Sequence, residues 1–561
     1  MASALTVVKP KAFKLKLRDS HCVRRVKCDE SKPTCKKCLV LGRNCGGYAY
    51  RGGFGAPLSL CRPAQTFSPP DIQCNQQEIW MFEFLCKYAV QQVAGAFDVS
   101  FWKVDFLRAT QSSPALWHAS LALAAVTARM QILSTSTNTS PCNYTGQAQK
   151  YYTFALSHYN KSIQCLVPIT QRCLTSGLTY RDQETLLLAN ILFIGICCTQ
   201  DDLDQAMHHA HNNSKLFNSW KFWQHVHDSS ASSPSSRGLM NADSLLTLMN
   251  FFDYQLVNSL ESKNLPMWSI KRDMISCSAT PFQSIVEAYF EFQSLLTGLL
   301  EIIGNTWTQA DTLQGPLLSK AAVYVIELGV WQSKYKSFRR SLTAAQIQAN
   351  AEGIAVLSLM YTVVEGSVGI NPSGSQMAYD DRNHLFRRLA DQGEELYQQL
   401  VPRVHRLAAK TALVFSPSLS VVGLFFFAGI KCRDAATRRR FIRLLEEWPR
   451  REGLWNNRNL ARLCQFIVFT EEHPGHLMLQ SGSRWIGPYE CQCVPGALIC
   501  DNHRVCHMET SLGADGQVLV TLRTVGDSKM GLPGNTETVA ALGRFCRQVS
   551  DGMMTCRPLS T

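Results

Sequence analysis

The run Cys22-Val-Arg-Arg-Val-Lys-Cys28-Asp-Glu-Ser-Lys-Pro33-Thr-Cys35-Lys-Lys-Cys38-Leu-Val-Leu-Gly-Arg-Asn-Cys45 carries the densest chemistry in this chain. Five thiols fall within 24 residues, interleaved with lysine and arginine. Thiolates two residues apart, as at Cys35 and Cys38, grip one tetrahedral Zn²⁺ from a single turn, and further cysteines close the site from a loop. So short a span buries too little apolar surface to fold alone, so bound metal would supply its folding free energy. The charge between the ligands then faces outward and offers a basic surface to a polyanion.

A second group, Cys491-Gln-Cys493, Cys500, His503, Cys506 and His507, has the density of another zinc site. No paired two-residue Cys motif recurs there, so it reads as a Cys-rich hairpin of a protein kept in reducing surroundings. His208, His209 and His211 have spacings of one to three, which do not align three ligands on one helical face. They are expected to cap or solvate their helix. Gly52-Gly-Phe-Gly55 lacks the Lys-Ser/Thr of a phosphate loop, and Gly482-Ser-Arg lacks the second glycine of a nucleophile elbow. No motif unites a nucleophile, a general base and an orienting group, so the chain does not read as an enzyme. A zinc-dependent enzyme using the C-terminal Cys/His group is the weakest alternative.

Charge separates the chain into two characters. Residues 1–51 hold 13 Lys and Arg against 3 Asp and Glu; the other 510 residues hold 43 against 40. A basic head on a nearly neutral body implies that the head meets a polyanion while the body does something else. Lys9, Lys11, Lys14, Lys16 and Arg18, followed by Arg24, Arg25 and Lys27, read as a nuclear-localisation tract continuous with the cysteines. Of 22 cysteines, 17 lie outside the cluster, scattered through apolar segments as buried free thiols would be. No apolar run is expected to reach the roughly 18 residues of a membrane span, and 186–198 and 420–430 read as buried core helices.

The elements that must position these groups are mostly helical. A Gly/Pro/Ser-rich linker over 46–77 follows the cluster, and no heptad seam follows it. Helical patterns then run over 78–90, 151–166, 182–198, 202–220, 278–303, 317–335, 344–364, 382–413 and 434–448. Ser113-Pro114 supplies an N-cap and an N1 proline for a further helix to residue 133. After residue 475 short alternating pieces, 497–506 and 517–524, suggest a small β element. The fold class expected is mostly all-α. A basic tract (1–21), a zinc-cluster domain (22–45) and a linker (46–77) precede a helical regulatory domain (78–475) and a C-terminal segment (476–561).

The cluster resembles the fungal binuclear zinc cluster, Zn₂Cys₆, in which six cysteines hold two zinc ions and the module reads CGG-like half-sites. Cys28, Cys35, Cys38 and Cys45 match the family's third to sixth cysteines, with Pro33 at its turn proline. Ala94-Gly-Ala-Phe-Asp-Val-Ser-Phe-Trp102, Ser113-Pro-Ala-Leu-Trp-His-Ala-Ser-Leu-Ala-Leu-Ala124, Leu156-Ser-His-Tyr-Asn-Lys-Ser-Ile163, Lys431-Cys-Arg-Asp434 and Pro449-Arg-Arg-Glu-Gly-Leu-Trp455 look like the fungal-specific transcription factor domain. The similarity covers most of 22–470.

The front of the motif departs from the family. Its first two cysteine positions fall on Arg18 and His21, one residue out of register with Cys22. Imidazole is an ordinary zinc ligand, whereas a guanidinium neither bridges nor coordinates. Three readings stay open: one zinc held by Cys35, Cys38, Cys45 and one of Cys28, Cys22 or His21; two zinc sites with improvised ligands; or residues 1–21 as a mis-assembled first exon. The resemblance implies that Arg24 and Arg25 read bases, since Arg pairs bidentately with guanine. Lys27, Lys36 and Lys37 would then contact phosphates.

The expectation is a nuclear, zinc-dependent regulator of transcription. It binds double-stranded DNA, meets the transcription machinery, dimerises through its helical body and touches no membrane. By resemblance its targets are a dedicated gene set such as a secondary-metabolite cluster. The main alternative is a helical interaction protein that has lost DNA binding.

Overall fold

The computed structural model describes residues 73–538, apart from 136–140, 176, 223–237, 241, 258–279, 294, 297–313, 371–374, 408–413, 418–420, 449 and 513–517. The sequence-predicted ligands His21, Cys22, Cys28, Cys35, Cys38 and Cys45, and the DNA-contacting Arg24, Arg25, Lys27, Lys36 and Lys37, lie outside the described residues. All described residues belong to one compact unit, Ser68–Thr561.

This unit is mainly helical, with short strands gathered toward its C-terminal end. Its principal helices are α1 (Gln76–Phe84), α2 (Pro114–Thr135), α3 (Pro141–Thr175), α4 (Tyr180–Thr199), α5 (Leu203–Ser219), α6 (Ala242–Val257), α7 (Gln314–Ser341), α8 (Ala351–Ser367), α9 (Asn383–Leu407), α10 (Val422–Lys431), α11 (Ala435–Glu447) and α12 (Asn457–Ser481). Helix α2 opens at Pro114, where a missing N–H costs nothing. Asp202 caps α5 by accepting from Gln205 N, and Asp434 caps α11 by accepting from Thr437 N. The helix expected over 344–364 is two pieces, Ala344–Ala349 and α8, parted at Asn350.

Helix α4 is long and apolar enough to cross a membrane, contrary to the expectation that no segment would be, but most of it is buried inside the fold. Its neighbours are the reason. Leu187, Ile191 and Ile194 share one apolar cluster with Met81, Trp117 and Phe252. A second cluster gathers Phe292, Trp331, Leu359, Phe425, Phe441 and Phe466. Full burial of each such side chain contributes about 1.5–3 kcal/mol.

A short parallel pair, β1 (Val414–Ser416) with β2 (Arg450–Glu452), joins the two clusters. Phe415 and Leu454 enter the first cluster from this seam. Ser416 Oγ donates to Val93 O at 3.0 Å, and Arg451 Nη1 donates to Cys198 O at 2.6 Å and Asp201 Oδ1 at 2.7 Å. Gln255 clamps the same segment, donating to Glu452 O and accepting from Leu454 N. The Glu452 carboxylate accepts the Val421 and Val422 N–H groups and so satisfies the start of α10.

Helix α12 runs through Pro474 and Gly475 to Ser481, across the boundary expected at 475. Two small sheets follow: β3 (Trp485–Ile486) with β4 (Tyr489–Glu490), then β5 (Val505–Leu512), β6 (Val518–Thr524) and β7 (Asn535–Thr538), antiparallel in that order. The alternation over 497–506 is therefore a strand only at its end; its earlier part is a turn and the 3₁₀ turn Asp501–His503.

Candidate metal centre

Between the two C-terminal sheets the chain folds into a knot that buries Cys491, Cys493, Cys500 and His503. Cys491 leaves β4 with its N–H on Arg484 O at 2.6 Å. Val494 and Leu498 then pair across a tight loop, closed by Gly496 at φ +71°, a conformation that suits glycine. This closure returns Cys500 to Cys493, with Sγ atoms 3.5 Å apart. The 3₁₀ turn carries His503 Nδ1 back to 3.2 Å from Cys500 Sγ and 3.6 Å from Cys493 Sγ. One ligand atom from each of the four residues lies within 4.8 Å of the others, an arrangement that could hold a metal ion.

The thiols are not bridged, and backbone N–H groups point at them: Cys493 N at Cys491 Sγ (3.5 Å) and Cys500 N at Cys493 Sγ (3.3 Å). The Cys493 thiol donates to Cys500 and, with His503 beside it, holds the Cys500 thiol below the usual thiol range. Cys493, which keeps the shared proton, is pushed well above the usual thiol range.

The knot is fastened at two ends. A Cβ on Gly475 of α12 would stand 3.1 Å from Cys493 Cβ, so glycine lets the loop lie on the helix. Arg504, directly after His503 and fully buried, makes a bidentate pair with Asp380 at 2.6 and 2.7 Å and donates to Gln376 O.

Cys506 and His507, grouped with these residues by sequence, do not join them. Cys506 Sγ lies 3.3 Å from Ser528 Oγ, and His507 sits on β5 with Nε2 3.9 Å from Glu509. The recognisable signal was Cys500-Asp-Asn-His503, a two-residue ligand spacing with histidine in the second place. A search for Cys–Cys pairs alone passes over it.

A second group, Glu78, His118 and His158, also brings three ligand atoms together. Here the protein engages each atom itself. The two imidazole Nδ1 atoms are 3.0 Å apart, so one ring donates to the other. Glu78 accepts from Asn75 N in a capping box and lies 3.5 Å from His158 Nε2 and 3.6 Å from Lys161 Nζ. Burial, with the charges of His118 and Lys161 nearby, lowers His158 to about 3 and keeps the ring neutral. The group reads as a satisfied polar cluster of the first core. His208 meets Asp204 on the surface, whereas His209, expected to cap or solvate the helix, turns inward to Tyr159 and Asn190.

An open cleft of about 610 Å³ lies between α7, α8 and α9. Trp331, Tyr335 and Tyr361 stack along it, and Arg339, Gln392 and Gln399 also line it.

Compared with protein-family models, curated proteins and solved structures, the chain has no match in any of the three. A functional reading therefore rests on its own residues.

Proposed function

We propose that this protein is a zinc-dependent, sequence-specific DNA-binding regulator of transcription, acting in the nucleus through its N-terminal residues. The observation that carries the reading is the spacing Cys28-x6-Cys35-x2-Cys38-x6-Cys45, interleaved with lysine and arginine in a segment of strong positive charge. Zinc held by these thiols, with Cys22 or His21 completing the set, orders the segment. Arg24 and Arg25 read guanine edges of CGG-like half-sites while Lys27, Lys36 and Lys37 bind phosphates. The nearly neutral helical body is the regulatory and dimer-forming part. The C-terminal Cys/His group offers four buried protein ligands, which leaves no open position for a substrate and speaks against the zinc-enzyme alternative.

Gel shift of the full chain on a CGG-containing duplex tests this reading. Binding should need zinc, vanish in Cys35→Ser, and weaken with salt at a log–log slope of about 0.9 per phosphate neutralised. Arg25→Ala should relax the motif recovered from randomised DNA, whereas Lys37→Ala should weaken all sequences alike. Equal affinity for CGG and scrambled duplexes in the presence of zinc would favour the interaction-protein alternative instead.

A further inference from the structure

We propose that Cys491, Cys493, Cys500 and His503 bind one Zn²⁺ tetrahedrally, in a closed site that pins the C-terminal β unit to the helical body.

Four observations carry this. The first is distance. A tetrahedral zinc with bonds of about 2.3 Å to sulfur and 2.0–2.1 Å to nitrogen separates two sulfurs by about 3.8 Å and sulfur from nitrogen by about 3.5 Å. Here Cys493 and Cys500 are 3.5 Å apart, and His503 Nδ1 is 3.6 and 3.2 Å from their sulfurs. A disulfide would need about 2.05 Å.

The second is the donor set. Three thiols and an imidazole are soft-to-borderline ligands, which select zinc over the oxygen-seeking Mg²⁺ and Ca²⁺. With Nδ1 on the metal, the imidazole keeps its proton on Nε2. The third is the surroundings of the sulfurs, onto which backbone N–H groups of Cys493 and Cys500 are directed. Such donors stabilise negative sulfur and fix its orientation.

The fourth is what the knot lacks without metal. Among the described residues its local apolar cluster is Cys491, Cys493, Ile499 and Cys500, with Met478 and Ile486 against it. The adjoining sheet β3–β4 has two residues per strand. A core so small does not hold a fold together unaided, and a metal with four protein ligands supplies the missing cross-links. The cross-links also reach outward. Cys493 lies on α12 at Gly475, and the residue after His503 is the Arg504 that grips Asp380. Loading the metal therefore fixes both contacts together.

The test uses the full chain with Cys28, Cys35, Cys38 and Cys45 all replaced by Ser, so that metal at the N-terminus does not count. Zinc is measured by plasma mass spectrometry after purification from zinc-supplemented cells. About one zinc per chain should remain. It should be lost when Cys493→Ser and Cys500→Ser are added and kept with the ligand-preserving His503→Cys. Should the serine variants fail to fold, the unmutated chain gives a second reading by alkylation with iodoacetamide, mapped by mass spectrometry before and after a zinc chelator. Cys491, Cys493 and Cys500 should become reactive only after chelation, while Cys464 in α12 stays protected. Folded protein without zinc, zinc unchanged by the double substitution, thiol reactivity indifferent to chelation, or a Cys493–Cys500 disulfide would each overturn the proposal.

Discussion

Replacing Glu471 with Gln should cost this protein about 3 kcal/mol, more than any ordinary surface change. The carboxylate is fully buried on α12 and accepts from Arg433 Nη2 at 2.8 Å and from Val505 N at 2.8 Å. Its other oxygen lies 2.6 Å from Arg438 Nη2. Burial alone would push its pKa up, but Arg433 and Arg438 overcome that and hold it at about 2. Against an unfolded value of 4.5 this is a downward shift worth about 3 kcal/mol at neutral pH. Removing one partner of a buried ion pair costs about 3–5 kcal/mol, because the other charge stays buried and uncompensated. Glu472, 3.8 Å from Arg438, relieves one of the two guanidiniums, which places the expectation at the lower end of that range.

Urea unfolding at pH 7, followed by tryptophan fluorescence and by circular dichroism, measures the difference. Its pH dependence has a definite sign. A depressed carboxylate stabilises the fold above its unfolded pKa and loses that contribution as pH falls through 4.5 toward 2. Wild type should therefore exceed Glu471→Gln by a constant margin above pH 5, and the margin should narrow below it. A difference under about 1 kcal/mol at pH 7, or one that does not change from pH 5 to 3, would refute the reasoning.

Glu184 behaves in the opposite sense: burial raises it to about 7, although the Leu239 and Met240 N–H groups pull the other way. Its folded pKa lies above its unfolded 4.5, so stability falls as pH rises between those values; Glu184→Gln should remove this slope in denaturation curves from pH 5 to 8 and gain up to about 3 kcal/mol above pH 7. Gly423 opens α10 beneath Trp455, and a Cβ there would meet the indole at 2.4 Å. Gly423→Ala should cost about 1–3 kcal/mol by displacing that ring from Phe251, read as a lowered urea midpoint with unchanged slope.

Much of the helical body was legible because local signals and burial agree there. Pro114 and Asp434 mark helix starts by groups they lack or supply, and the apolar run 186–198 lies inside a core helix. Helix α12 was not among the helical patterns expected, and Pro474-Gly475 within it reads as a stop, yet the helix runs from Asn457 past both to Ser481. Packing decided this position: Gly475 receives Cys493, a contact that no local propensity reports. The break at Asn350 was hidden in the same way, since the residues on both sides are good helix formers. Of the C-terminal Cys/His group, the density was visible and the membership was not. Which four residues meet depends on the loop closed at Gly496 and on the 3₁₀ turn, while Cys506 and His507 are carried off by the register of β5.

The seam of β1 and β2 has a consequence for how the chain is made. Its hydrogen bonds join Ser416 to Val93 across 323 residues, Arg451 to Cys198 across 253, and Gln255 to Glu452 across 197. At a synthesis rate of roughly 5–20 residues per second, the stretch from Cys198 to Arg451 takes on the order of 10–50 seconds to emerge. Throughout that interval the first apolar cluster waits for Phe415 and Leu454, with its surface open to other nascent chains. The first cluster therefore stays incomplete until the segment that carries β2 and Leu454 has emerged. A message truncated before codon 450 yields a chain without β2 and Leu454, which leaves that cluster unclosed.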